Sequence, residues 1–97
     1  MKYVISHEAT NDLKSIWLYT LEFWSQSQAD RYLNLILDEI ESISKDPTIG
    51  KDYNQVRRGY YRTRVKSHFI FYRIHENEIE VVRILHQQMD IDTRLNE

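Results

Sequence analysis

The chain has no cysteine, one proline and two glycines among its 97 residues. Without cysteine it can carry neither a disulfide frame nor a thiolate metal site, and a reducing compartment, the cytoplasm, is expected. Gly50 and Gly59 are its only glycines, too few for a glycine-rich phosphate loop. No apolar run approaches the roughly 20 residues of a membrane span. The start, Met1-Lys2-Tyr3-Val4-Ile5-Ser6-His7-Glu8, turns polar too early for a signal peptide. His7, His68, His75 and His86 are scattered and lack His-x-x-x-His spacing, so neither a metal site nor a cofactor is expected. No serine sits in a strand-to-helix elbow, which removes nucleophilic triads.

What is present is enough apolar residue for one modest core, and residues 1–97 are expected to form one domain. The net charge of −2 hides a division. Glu8, Asp12, Glu22, Asp30, Asp38, Glu39 and Glu41 dominate the first 44 residues. Lys45, Lys51, Arg57, Arg58, Arg62, Arg64, Lys66 and Arg73 dominate residues 45–73. An acidic half joined to a basic half reads either as a directed positive patch or as a solvated strand face.

Lys2 to Ile5 reads as a short strand. Ser6 is a good N-cap and Glu8 suits a first helical turn, after which Leu13, Ile16, Trp17, Thr20 and Trp24 recur at helical spacing as an inward face. Ser25-Gln26-Ser27 breaks that helix and restarts another with capping-box spacing, burying Ala29, Leu33, Ile36, Ile40 and Ile43. Helices are expected near residues 7–24 and 27–45. Pro47 and Gly50 end the second. Val56 to Lys66 alternates as a strand, Gly59 marking a bulge, with Tyr60, Arg62, Arg64 and Lys66 on one side and Tyr61, Thr63 and Val65 on the other. Residues 68–74 and 79–86 are apolar at both parities, as central strands are, and flank a hairpin turn at His75-Glu76-Asn77-Glu78. The tail after His86 is weakly patterned. The fold class is α+β: a short N-terminal strand, then an antiparallel two-helix hairpin packed on an antiparallel sheet that ends in a three-strand meander. The helices cover one sheet face, and the other needs a partner or must tolerate exposed aromatics.

One constellation carries chemistry. Arg62, Arg64 and Lys66, with Arg83 and His86, offer the cations and the acid–base group that metal-free RNA cleavage requires. Yet Arg83 and His86 are three apart and face opposite sides of a regular strand, converging only if the strand bends.

The chain resembles the RelE/ParE superfamily of toxins from type II toxin–antitoxin systems, and its ParE branch in particular. The resemblance runs through Ser6-His7-Glu8-Ala9 with Leu13, through Trp24, Gln28 and Tyr32, and through Pro47-Thr48-Ile49-Gly50. It continues in Val56-Arg57-Arg58-Gly59-Tyr60 and Ser67-His68-Phe69-Ile70-Phe71-Tyr72, and is most specific in Val82-Arg83-Ile84-Leu85-His86-Gln87-Gln88-Met89-Asp90. It implies a toxin that inhibits DNA gyrase and blocks replication, neutralised by a cognate, ParD-like antitoxin. Arg57, Arg58, Arg62, Arg64, Lys66 and Arg83 become candidates for the target, and Trp17, Trp24, Tyr32, Leu35, Phe69 and Phe71 for the antitoxin. The alternatives are a RelE-like ribosome-dependent messenger RNA endonuclease, which would use Arg62, Arg83 and His86, and an inactive, binding-only relative. Gln87-Gln88-Met89-Asp90 lacks the late tyrosine of many ribonuclease members.

Overall fold

A computed structural model describes residues 1–96. Strand β1 (Lys2–Ile5) leads into helix α1 (His7–Phe23), and helix α2 (Gln26–Lys45) runs back. A single 3₁₀ turn at Pro47–Ile49 leads to β2 (Lys51–Asp52), β3 (Tyr60–Val65), β4 (His68–His75), β5 (Glu78–His86) and a short helix α3 (Ile91–Leu95). The five strands form one sheet in the order β1-β5-β4-β3-β2. The expected meander is therefore present, with β4 at its centre. The sheet is mixed rather than wholly antiparallel, because β1 pairs parallel to β5 from Lys2 opposite Glu78 to Ile5 opposite Val81. No tight turn joins β1 to β5: both helices and strands β2 to β4 lie between them in the chain, so the pairing is free of the antiparallel geometry a hairpin imposes.

The helices begin where their caps dictate. Ser6 Oγ accepts the Ala9 N–H at 3.0 Å, and Ser25 Oγ accepts the Gln28 N–H at 3.1 Å. The Trp17 indole N–H donates to Asp30 at 2.9 Å, tying one helix to the other near their junction. On α2, Ala29, Ile36, Ile40 and Ile43 are buried against Ile70, Tyr72, Ile79, Val81 and Ile84 of the sheet, joined by Ala9 and Leu13. The α1 stripe does not stay buried to its end: Trp24, expected on the inward face, is the C-cap residue, already out of helical geometry, and is 73% exposed.

The Pro-x-x-Gly segment after α2 has a physical reason. The Tyr72 hydroxyl donates to the Pro47 carbonyl at 2.7 Å, and a Cβ on Gly50 would run into the same phenol. Burial pushes the Tyr72 hydroxyl up to about 12, so it stays a neutral donor throughout the physiological range.

The second sheet face departs from expectation, since the chain covers much of it by itself. Tyr60, Phe71, Val82, Leu85 and Leu95 form a second buried cluster, roofed by Tyr53, Val56 and Ile91. The roof comes from two segments read differently in the sequence. Residues 53–59 form a loop rather than the start of a strand: the Tyr53 carbonyl accepts the N–H groups of Val56 and Arg57 at 3.1 Å. Gly59 at φ +83° is a turn residue whose N–H donates to Asn54 Oδ1 at 2.6 Å, not a bulge. The tail folds as α3, capped by Asp90, which accepts from Thr93 N at 3.3 Å and Thr93 Oγ1 at 2.8 Å.

The bulge lies instead in β5. Phe71 pairs with Arg83 but Tyr72 pairs with Val81, leaving Val82 as the extra residue. Val81 and Ile84 thus both face the helices, while Val82 and Leu85 join the opposite cluster. Helix α1 seals this irregular edge. The Ser6 hydroxyl donates to the Val82 carbonyl at 2.9 Å, and Asp12 accepts the Ile84 N–H at 2.9 Å. Asp12 also binds Arg83 by two prongs, from Nε at 2.9 Å and from a terminal guanidinium nitrogen at 3.1 Å, with both side chains largely shielded from water. Removing one partner of such a pair strands the other charge. Asp12→Ala is therefore expected to cost about 3–5 kcal/mol in urea unfolding, and Arg83→Ala a similar amount. A double variant no worse than either single is the expected non-additivity; two losses that simply add would mean the pair does not act as a unit.

Candidate functional site

Two surfaces emerge from this architecture, one on each side of the sheet. On the helix side, the joined ends of α1 and α2 and the ends of β4 and β5 bound an open groove of about 780 Å³. Ile16, Tyr19, Thr20 and Trp24 line it from α1, and Gln28, Arg31, Tyr32 and Leu35 from α2. Lys66, Ser67, His68, His86, Gln88 and Met89 close the sheet end. The walls are mainly apolar, and none of the lining side chains is a carboxylate.

His68 and His86 are direct cross-strand partners, with ring centroids 5.0 Å apart and planes at 88°. Tyr32 fixes the first of them, its hydroxyl lying 2.6 Å from His68 Nδ1 and 3.1 Å from the Val65 carbonyl. His86 Nδ1 accepts the Gln88 N–H at 3.1 Å, which leaves the proton of the neutral ring on Nε2. Burial, and secondarily the neighbouring His86, push His68 down to about 4, with Asp12 opposing.

The opposite side is basic. Lys51 lies across from Arg62 in the ladder, and Arg64 across from Phe69. The Arg62 guanidinium stacks over Phe69 at 4.3 Å and over Tyr53 at 4.9 Å, and Arg64 lies 5.8 Å from the same Phe69 ring. Arg64 donates to the Lys66 carbonyl and to Gln87 Oε1, each at 2.6 Å. Arg57 lies over Tyr60 at 5.8 Å and donates to Asn96 Oδ1 at 2.6 Å.

The residues singled out from the sequence are thereby sorted. Trp24, Tyr32 and Leu35 share the groove, while Trp17 is held by Asp30 outside its lining. Phe69 and Phe71 lie on the other face, Phe69 beneath Arg62 and Phe71 fully buried in the second core, with no exposed surface of its own. Arg57, Arg58, Arg62 and Arg64 remain on the basic side. Lys66 does not join them: it sits in the β3–β4 turn at φ 52° and lines the groove. Arg83 is locked to Asp12 and to the Arg94 carbonyl at 3.1 Å. Arg62 and Arg83 both stand across from Phe71 on one face, where Arg83 is held at the sheet edge by Asp12, while His86 lines the groove on the other, so the three do not converge. No group of three or more metal-ligating side chains occurs among the described residues, and no helix there is long and apolar enough to cross a membrane. The His68–His86 pairing was missed because it depends on the bulge.

Because His68 binds its proton far less readily when folded than the ordinary 6.5, the unfolded chain takes up more protons between about pH 6.5 and 4. Stability is complete above that window and falls as pH drops through it. The expected loss is about 1–2 kcal/mol, the part that remains once water reaching the half-open ring is allowed for. Urea midpoints at pH 7 and 4.5 should converge for His68→Gln and separate for the parent; equal separation in both would assign the acid sensitivity elsewhere.

Comparison with known proteins follows the same outline. Residues 3–91 match the model of the family described as ParE toxin of type II toxin–antitoxin system, parDE. The chain is 38% identical over 95 residues to Toxin ParE1 of Mycobacterium tuberculosis (strain H37Rv), covering 97% of each. It is 36% identical to Toxin ParE1 of Caulobacter vibrioides over 96% of each chain. It is 31% identical to Toxin ParE of Escherichia coli, over 96% of this chain and 91% of the relative. A solved structure of the "chromosomal ParDE TA system from P. aeruginosa" shares the fold at a TM-score of 0.79 and 16% identity, over 89% of this chain and 95% of that one.

Proposed function

The chain belongs to the ParE toxin family of type II toxin–antitoxin systems, and from that premise we propose that it acts in the cytoplasm by trapping DNA gyrase and is neutralised by a ParD-like antitoxin. The observation that carries the target reading is the dispersal of Arg62, Arg83 and His86. General acid–base catalysis needs its groups within hydrogen-bond reach of one reacting centre. Here Arg83 is consumed by Asp12, and His86 faces the helices while Arg62 faces away. Recognition of a large anionic assembly needs no such convergence, only a positive surface that steers and orients.

The purified chain should raise double-strand breaks by gyrase and leave ribosome-bound messenger RNA uncut. His86→Gln should retain this action on gyrase, because the ring is not at the basic face. Cleavage of messenger RNA that His86→Gln abolishes, with gyrase untouched, would replace the gyrase reading with the nuclease one.

The groove suits the antitoxin. Its apolar walls are rimmed by Arg31 and Lys66 with no lining carboxylate, so an apolar segment that carries acidic residues is complementary to it. A flexible segment that folds on docking buries apolar area and orders at once, which gives a strongly negative heat-capacity change. Calorimetry with the ParD-like antitoxin should show that change, and Leu35→Glu should weaken binding by more than about tenfold. Binding by an antitoxin trimmed to its N-terminal domain at undiminished strength would remove the groove from the interface.

A further inference from the structure

We infer that the basic side of the sheet docks on duplex DNA directly, holding its phosphodiester backbone without reading bases. This deepens the gyrase reading, on which its biological setting rests, by giving the toxin its own contact with the DNA of the target. Lys51, Arg57, Arg58, Arg62 and Arg64 come from β2, β3 and the loop between them, and among the described residues none is in an ion pair. Where Arg57 and Arg64 are held, their acceptors are neutral oxygens of Asn96, Gln87 and Lys66. The carboxylates nearby are occupied or turned to local work. Asp52 is taken by Asn54 at 2.8 and 2.6 Å, Asp90 caps α3 through Thr93, and Asp92 lies exposed on α3. Arg73, farther along the same face, is neutralised by Glu80 at 2.6 Å and stands outside the patch. Five cations held without counter-charge in a chain of net charge −2 form a directed field, opposite the acidic Asp38, Glu39 and Glu41 of α2.

The aromatic residues beneath decide which nucleic acid fits. Single strands are gripped largely by stacking of their bases on open aromatic rings. Here Phe71 is fully buried, Tyr60 nearly so, and Phe69 lies under the Arg62 guanidinium. The face therefore offers charge but little free stacking surface, the pattern of backbone contact with a duplex. Stacking on Phe69 and Tyr53 also holds the Arg62 guanidinium in place, so little side-chain freedom is lost on docking.

The test is fluorescence anisotropy of the full chain with a labelled mixed-sequence duplex of about 20 base pairs, from about 50 to 200 mM salt, beside a single-stranded DNA and an RNA of the same sequence. Three to five phosphate contacts give an expected slope of log affinity against log salt of about −3 to −4.5. Arg62→Glu with Arg64→Glu should weaken duplex binding by more than about tenfold and flatten that slope by about 2. Lys51→Glu with Arg58→Glu, at side chains that hold no side-chain hydrogen bond among the described residues, should weaken it likewise should the first pair disturb the fold. Lys14→Glu with Lys45→Glu changes net charge equally on the helices and should leave binding within about twofold. The inference is overturned by absence of duplex binding at the lowest salt, by an equal loss in the helix control, or by single-stranded DNA or RNA winning by about tenfold. Gyrase trapped at full strength by a variant blind to DNA would overturn it and leave the gyrase reading intact. DNA binding with no effect on gyrase would do the reverse.

Discussion

Asp12 is the residue on which the two sides of the sheet depend. Strand β1 pairs with β5 only as far as Val81, and beyond that point β5 has no strand on its outer edge. An open edge with unpaired backbone groups invites association with other chains. The bulge at Val82 makes that edge irregular as well. Asp12 answers both problems with one carboxylate, accepting the Ile84 N–H and both prongs of Arg83. Arg83 in turn donates to the Arg94 carbonyl, so α3 is drawn into the same network. One ionic cluster thus joins α1, the bulged strand and the short helix that roofs the second apolar cluster.

The bulge then sets what each surface can be. On one side, Val81 and Ile84 continue the core under the helices and leave His86 at the mouth of the groove. On the other, Val82 and Leu85 complete a second, smaller core that the 53–59 loop and α3 close. Because the chain covers that second core itself, the groove gathers one cluster of exposed apolar residues, Tyr19, Trp24, Leu35 and Met89, while others such as Leu18, Leu21 and Phe23 of α1 lie exposed outside it. The apolar groove and the cluster of Arg57, Arg62 and Arg64 thereby lie on opposite sides of one thin sheet. A partner that fills the groove need not contact the basic face, and neutralisation by such a partner would act through the shape or reach of the assembly rather than by covering the cations.

Much of this was legible in the sequence where the signal was local. Ser6 and Ser25 capped the helices within one or two residues of the expected starts, and the apolar stripe of α2 gave its buried face directly. The two central strands and the turn between them were equally plain. What could not be read were features set by tertiary pairing. The parallel register of β1, the two-residue strand β2 and the seal by Asp12 have no periodic signature. The α3 helix had a weak one, an aspartate three residues before a threonine with Ile91 and Leu95 one turn apart. The histidine pair shows the limit most clearly. Counted from the turn at His75 and Glu78, a regular ladder would set His68 opposite Leu85. The extra residue at Val82 sets it opposite His86 instead.

That same extra residue bears on the choice between catalysis and recognition. In an unbroken strand, Arg83 would share a face with the helix-side residues Val81 and Ile79, and its guanidinium could project toward the groove. The bulge turns it to the face of Phe71 and within reach of Asp12, where it becomes structural. His86 is moved the opposite way, onto the helix face beside His68, whose own charge is suppressed by burial and by that neighbour. The cations that remain, from Lys51 to Arg64, sit on a face where Arg62 lies over Phe69 and Tyr53 and Arg57 over Tyr60. Such a face is suited to hold an anionic surface by field and contact. The irregularity that closes the fold thus decides which side each group takes, and Arg83 and His86, three apart on the strand, stand on opposite sides with it as they would without it.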